Sequence, residues 1–240
     1  MSFETSFRRL RAQMHAMERT VRMMRLEVEN ALIGLGAEGI EETVEVPTGL
    51  GRLLESGKPI ELQTVQPYAP FEDGAWISYD KDAVGTRMAV GTRGLARLGP
   101  GDRAPTVARL SVHPVFSASA EPLWVSLETE IDVAQFVTAE ALQLDFIAHF
   151  DLNRTAKQPV APNCSIMVRL SDGNGDRRDV LTRFFPTTTM PLEQSVAYSA
   201  PQLREVQSPG ISAATLIIML PTTGDYVFNL DYFSLRKVVG

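Results

Sequence analysis

Ala141-Leu142-Gln143-Leu144-Asp145-Phe146-Ile147-Ala148-His149-Phe150-Asp151-Leu152 decides how this chain folds. Leu142, Leu144, Phe146, Ala148 and Phe150 fall at every second place, with Gln143, Asp145 and His149 between them. Successive side chains of a strand point to opposite faces, so the segment predicts a long strand with one face on a core. The same period continues on both sides. It predicts further strands over 60–66, 75–79, 87–91, 107–116, 123–130, 164–170, 179–185, 195–198, 215–221 and 226–238. In the last of these Tyr226, Phe228, Leu230 and Tyr232 alternate with Val227, Asn229, Asp231 and Phe233. Fourteen of the fifteen prolines lie beyond residue 58, which argues against long helices there. About ten short strands joined by Gly/Pro/Asp-rich turns predict a mainly β domain, an antiparallel β-sandwich over 60–240.

Before residue 36 the period is different. Phe3, Phe7, Leu10, Met14, Met17, Val21, Met24, Val28, Ala31 and Leu35 alternate in steps of 4 and 3. A 3.5-residue repeat stays facing a partner only when helices supercoil, so residues 1–36 are expected to form a coiled-coil oligomerisation helix. Its facing pairs, Ser6–Arg11, Gln13–Glu18, Thr20–Arg25 and Glu27–Leu32, contain no opposite charges. The seam is built of bulky aromatic and methionine residues. Both features favour more than two strands, with a homotrimer expected. Gly34, Gly36 and Gly39 end the helix, and 37–59 reads as an acidic Gly/Pro connector with a short helical turn at 50–54.

Charge separates the parts. Residues 1–35 carry six arginines and four glutamates, while the remainder carries 17 basic and 25 acidic residues. So acidic a body excludes nucleic acid as the expected partner, since phosphates need clustered Lys and Arg. The arginine-rich coil is the end expected to dock on another protein. No apolar run reaches the roughly 20 residues of a membrane span, and no apolar leader segment opens the sequence. The lone Cys164 sits among Ile166, Met167 and Val168 and reads as an inert buried thiol.

Few residue groups carry chemistry. Asp172, Asn174 and Asp176 alternate in a loop as oxygen ligands for calcium would, yet Arg177 and Arg183 stand where a calcium loop wants glycine and glutamate. The loop is therefore read first as a tight turn and second as a Ca2+ site. His15, His113 and His149 have no metal-ligand spacing. Glu128 and Glu130 share one face of a strand, which glycosidase chemistry could use but an exposed acidic face explains as well. Nothing spells a nucleophile elbow or a P-loop. No catalytic residue is assigned, and an enzyme is not expected.

Phe71-Glu72-Asp73-Gly74-Ala75-Trp76 opens the β region, and the run from Leu142 to Ala148 forms its long central strand. The apolar strand at 215–220, the turn at Gly224 and Phe228-Asn229-Leu230-Asp231-Tyr232-Phe233-Ser234-Leu235 close it. This order is similar to the galactose-binding-like jelly roll of many carbohydrate-binding modules. The layout of helical stalk, hinge and jelly-roll tip resembles fibre and spike proteins of phages and gene-transfer agents. The resemblance implies a jelly roll that binds cell-surface polysaccharide. It also implies a particle, capsid or tail protein at the helical end, with assembly in the cytoplasm and a final place in a virion or virus-like particle. Aromatic faces stack on sugar C–H groups, so Trp76, Tyr79 and Trp124, with His149, are the candidate carbohydrate contacts. A purely structural decoration or baseplate component without a ligand, and a polysaccharide-active enzyme, are the alternative expectations.

Overall fold

The computed structural model describes residues 42–94, 108–153, 160–208 and 210–239. The heptad seam and the helix expected over 1–36 lie outside the described residues. In chain order the elements are β1 (Glu42–Glu45), α1 (Gly49–Ser56), β2 (Ile60–Val65), β3 (Pro70–Glu72), β4 (Ala75–Tyr79), β5 (Arg87–Gly94), β6 (Ala108–Val115), β7 (Val125–Ile131), α2 (Val133–Val137), β8 (Ala141–Leu152), β9 (Asn163–Asp172), β10 (Arg177–Pro186), β11 (Leu192–Tyr198), α3 (Ala200–Val206), β12 (Ile211–Leu220) and β13 (Tyr226–Val239). Among the described residues no helix is long and apolar enough to cross a membrane.

The strands form two sheets packed face to face, the sandwich that the alternation predicts. The first has the order β11-β8-β13-β6-β5-β2, with β1 also pairing β13. The second has the order β10-β9-β12-β7-β4-β3. Neighbouring strands along both paths run antiparallel. Leu142, Leu144, Phe146, Ala148 and Phe150 of β8 all point into the core and are buried. Phe146 meets Phe185 of the opposite sheet edge-on at 5.2 Å, and Phe150 packs on Tyr226 and Phe228 at 5.5 and 5.1 Å. Each such side chain contributes about 1.5–3 kcal/mol by leaving water.

β13 corrects one reading. Its pairing with β8 slips between Leu230 and Tyr232. The bulge adds one residue and reverses the alternation beyond it. Tyr226, Phe228 and Leu230 therefore share the core face with Phe233 and Leu235, not with Tyr232. The bulge turns Asp231 outward, where its carboxylate meets Arg109 at 2.5 Å and His149 at 3.5 Å.

The stretch expected as part of a connector is, from Glu42 on, built into the sandwich. Thr48 caps α1 by accepting from the Gly51 N–H at 3.0 Å, and Gly57 ends it with φ 62°. Leu50, Leu53 and Leu54 face the core. Gly49 is needed for close approach: a Cβ there would lie 2.3 Å from the Gly74 carbonyl oxygen. The Leu50 N–H donates to Thr129 Oγ1 (3.1 Å), whose hydroxyl donates to the Gly74 carbonyl (2.9 Å). Arg52 reaches the Asp73 carbonyl at 3.3 Å. The helix thus anchors the Asp73-Gly74 turn, two residues before Trp76.

Candidate functional site

The β3–β4 hairpin begins the site. Gly74, at φ 70°, makes its turn, and β4 then alternates: Ala75, Ile77 and Tyr79 enter the core while Trp76 points outward, half-buried. Register places Trp76 in one row with Glu128 of β7, Ile217 of β12 and Met167 of β9. The adjacent row holds Glu130, Thr215, Arg169 and Asp179. Trp76, Glu128, Glu130, Thr215 and Arg169 from these rows line an open groove of about 750 Å³ on the outer face of the second sheet. Tyr68 and Phe71 stand at its β3 side, and Arg177 at its β10 end. Six strands about 4.8 Å apart make that face roughly 24 Å wide.

The indole of Trp76 is held from behind. Its Nε1–H donates to Glu128 Oε2 at 3.0 Å, and Ser126 Oγ donates to Glu128 Oε1 at 2.6 Å. Glu128 is only 6% exposed, so both oxygens are committed inside the protein. The carboxylate acts as a clamp on the ring. Further along, Arg169 and Asp179 form a two-point pair at 2.8 and 3.0 Å. Lys58 donates to Glu72 Oε2 at 2.8 Å, and that hydrogen bond holds the Glu72 carboxyl below its ordinary range.

Tyr68 is exposed at the groove edge and has φ 64°, in the left-handed region that a tyrosine enters only at a cost. Its N–H donates to the Ile77 carbonyl at 2.9 Å, which fixes the strained residue to β4. Lys81 lies 5.2 Å from its ring centre. Aromatic surface, hydroxyl groups and charged donors and acceptors thus converge on one open channel. That combination offers both stacking and hydrogen bonding to an extended polar molecule.

The structure separates the residues singled out from sequence. Trp76 lines the groove. Tyr79 is buried in the core, its hydroxyl donating to the Val65 carbonyl at 3.2 Å. Trp124 lies half-buried just before β7, its carbonyl accepting from the Asp80 N–H at 3.3 Å. His149 sits on the outer face of the other sheet, 4% exposed. Asp172, Asn174 and Asp176 form the β9–β10 turn, where Asp172 Oδ1 accepts from the N–H groups of Asn174 and Asp176, both at 2.9 Å. Among the described residues no three His, Cys, Asp or Glu side chains gather to hold a metal ion. Cys164 is buried, and burial pushes its thiol up to about 11. The sequence reading missed Tyr68, Arg169, Arg177 and Thr215, which only the strand order brings together.

No protein-family model matches the chain, and no curated protein matches it. Several solved structures are similar in fold. The CBM22-1 xylan-binding domain of Paenibacillus barcinonensis Xyn10C is 15% identical, with a TM-score of 0.40 over 76% of this chain and 98% of that one. The family 11 carbohydrate-binding module of Clostridium thermocellum Lic26A-Cel5E is 11% identical, with a TM-score of 0.39 over 76% and 97%. The enzymatically active domain of bacteriophage CBA120 tailspike protein 4 is 12% identical, with a TM-score of 0.42 over 69% of this chain. The matched part spans 19% of the tailspike's length.

Proposed function

We propose that this protein is a non-catalytic glycan-binding jelly roll, carried in several copies by its N-terminal heptad helix and serving attachment of a phage-like particle to cell-surface polysaccharide. One observation carries the binding reading: the Trp76 ring, fixed by Glu128 at 3.0 Å, lies in an open groove that runs across the strands. A rigid half-buried ring offers its face to sugar C–H groups without an ordering cost at binding. Arg169, Thr215 and Glu130 beside it supply donors and acceptors for hydroxyl groups. Both oxygens of Glu128 accept hydrogen bonds, from Trp76 and from Ser126, and the carboxylate thereby positions the ring. The groove is open, which suits the interior of a chain as well as its end.

The display part of the proposal rests on the seam from Phe3 to Val28 and on its bulky, uncharged character. Three weak sites held together gain avidity without a new contact, which gives the homotrimer its purpose. The experiment is a glycan array with the full chain and Trp76→Ala, covering capsular, O-antigen and plant-wall polysaccharides. Binding by the parent chain that disappears in the variant supports the groove. A silent array, or equal binding by both, removes it.

A further inference from the structure

The outer face of the first sheet has a cleft of its own. It measures about 340 Å³ and lies over β5, β6 and β13, on the side of the sandwich away from Trp76. Its depth has a clear origin. Gly91, Ser111 and Asn229 form one row across three strands, and none carries a large side chain. The β2–β5 pairing slips between Ile60 and Gln63, and the bulged strand leans over Gly91. A Cβ on Gly91 would stand 3.1 Å from the Cα of Leu62. Leu62, 59% exposed, becomes an apolar wall over a polar floor.

The floor is organised. Ser111 Oγ donates to Asn229 Oδ1 at 2.7 Å, and Asn229 Nδ2 donates to Asp151 Oδ2 at 2.9 Å. Arg93 and Arg109 stand directly opposite each other on β5 and β6. Like charges so placed repel unless an anion joins them. Asp231 engages Arg109, whereas Arg93 lines the cleft, exposed, and forms no ion pair with any described residue. Among the described residues, one guanidinium is therefore open to a ligand. Burial lowers the His113 pKa, against the pull of Asp151, so this imidazole meets a ligand uncharged at neutral pH.

We propose that this cleft is a second saccharide site that takes a carboxylate-bearing sugar unit, a uronic acid. Arg93 receives the carboxylate as a two-point hydrogen-bonded pair. Asp151 and Ser111 take ring hydroxyl groups, and Leu62 covers the apolar face of the ring. The size suits one or two sugar units, smaller than the groove on the opposite sheet. The site stands apart from that groove and does not depend on Trp76.

The test follows backbone amide shifts of the full chain on titration with trigalacturonate, with neutral galactobiose as the control. Trigalacturonate is expected to shift the amides of Ser111 and Val227, and to do so equally in Trp76→Ala. Arg93→Glu is expected to weaken it about ten- to a hundredfold, the size of a lost charged hydrogen-bond pair, with partial recovery in Arg93→Lys. Absence of shifts on β6 and β13, or an unchanged affinity in Arg93→Glu, overturns the site. Equal binding of galactobiose overturns its preference for a carboxylate. Shifts confined to Trp76 and Glu130 overturn the second site while leaving the groove intact, so the two proposals fail separately.

Discussion

Trp76 Nε1 donates to Glu128 Oε2 at 3.0 Å, and through this bond a buried carboxylate on β7 sets the plane of an indole on β4. Glu128→Ala leaves the ring free to turn and its N–H without a partner. Glycan affinity should fall about tenfold, the scale of a charged hydrogen bond. The chain has two tryptophans, so in a Trp124→Phe background the fluorescence reports Trp76 alone. Its emission should move to longer wavelength in Glu128→Ala as the ring becomes wetter.

Gly49 and Gly74 touch with no room for a methyl group, and the contact ties α1 to the turn before Trp76. Gly49→Ala places its Cβ against backbone and should destabilise the sandwich by about 1–3 kcal/mol. Gly173→Ala, where a Cβ meets nothing within 4 Å, is the control and should unfold at the parental denaturant concentration. Urea unfolding of the two variants compares them directly.

The acid pair of Glu45 and Glu55 gives a pH test. Burial first, and then the neighbouring Glu55, raises the Glu45 pKa above its ordinary value of 4.5, with Arg236 pulling the other way. A carboxyl raised in the folded state adds stability below its unfolded pKa, and that stability is lost as pH rises through the folded value. Glu45→Gln should therefore raise the melting temperature at neutral pH. The gain should shrink toward pH ~4, where the raised Glu45 carboxyl of the parent holds its proton. A gain that is constant with pH would point to packing instead.

Val21→Asp with Val28→Asp puts two charges into the heptad seam. Light scattering should report a trimer for the parent and a monomer for the double variant, with the β circular-dichroism signal retained. An oligomer that survives both substitutions contradicts the display part of the proposal.

Much of the sandwich was legible because its strands obey one simple rule. β8 runs over Ala141–Leu152 as the alternation requires, and β4 over Ala75–Tyr79. Where the rule failed, a local device intervened. The bulge at Asp231 reversed the phase of β13, although the sequence holds the trace of it in apolar residues at 226, 228, 230, 233 and 235. Residues 37–59, Gly49 among them, read as a connector because flexibility and close approach use the same residue. The groove was half legible. Trp76 stood out as an aromatic beside a turn, but Arg169 and Thr215 join it only through the order β9-β12-β7-β4, whose crossovers leave no mark in a single sequence. The same order explains why His149, chosen with Trp76 from sequence, lies on the opposite sheet.

Titration calorimetry with the strongest glycan from the array, run on the full parent chain and on Trp76→Ala, decides whether the Trp76 groove binds sugar. Saturable binding is expected for the parent and a loss of about tenfold or more in the variant, since removing a stacked ring from a fixed pocket costs at least that much. Equal affinity in Trp76→Ala, with both proteins folded, would contradict it.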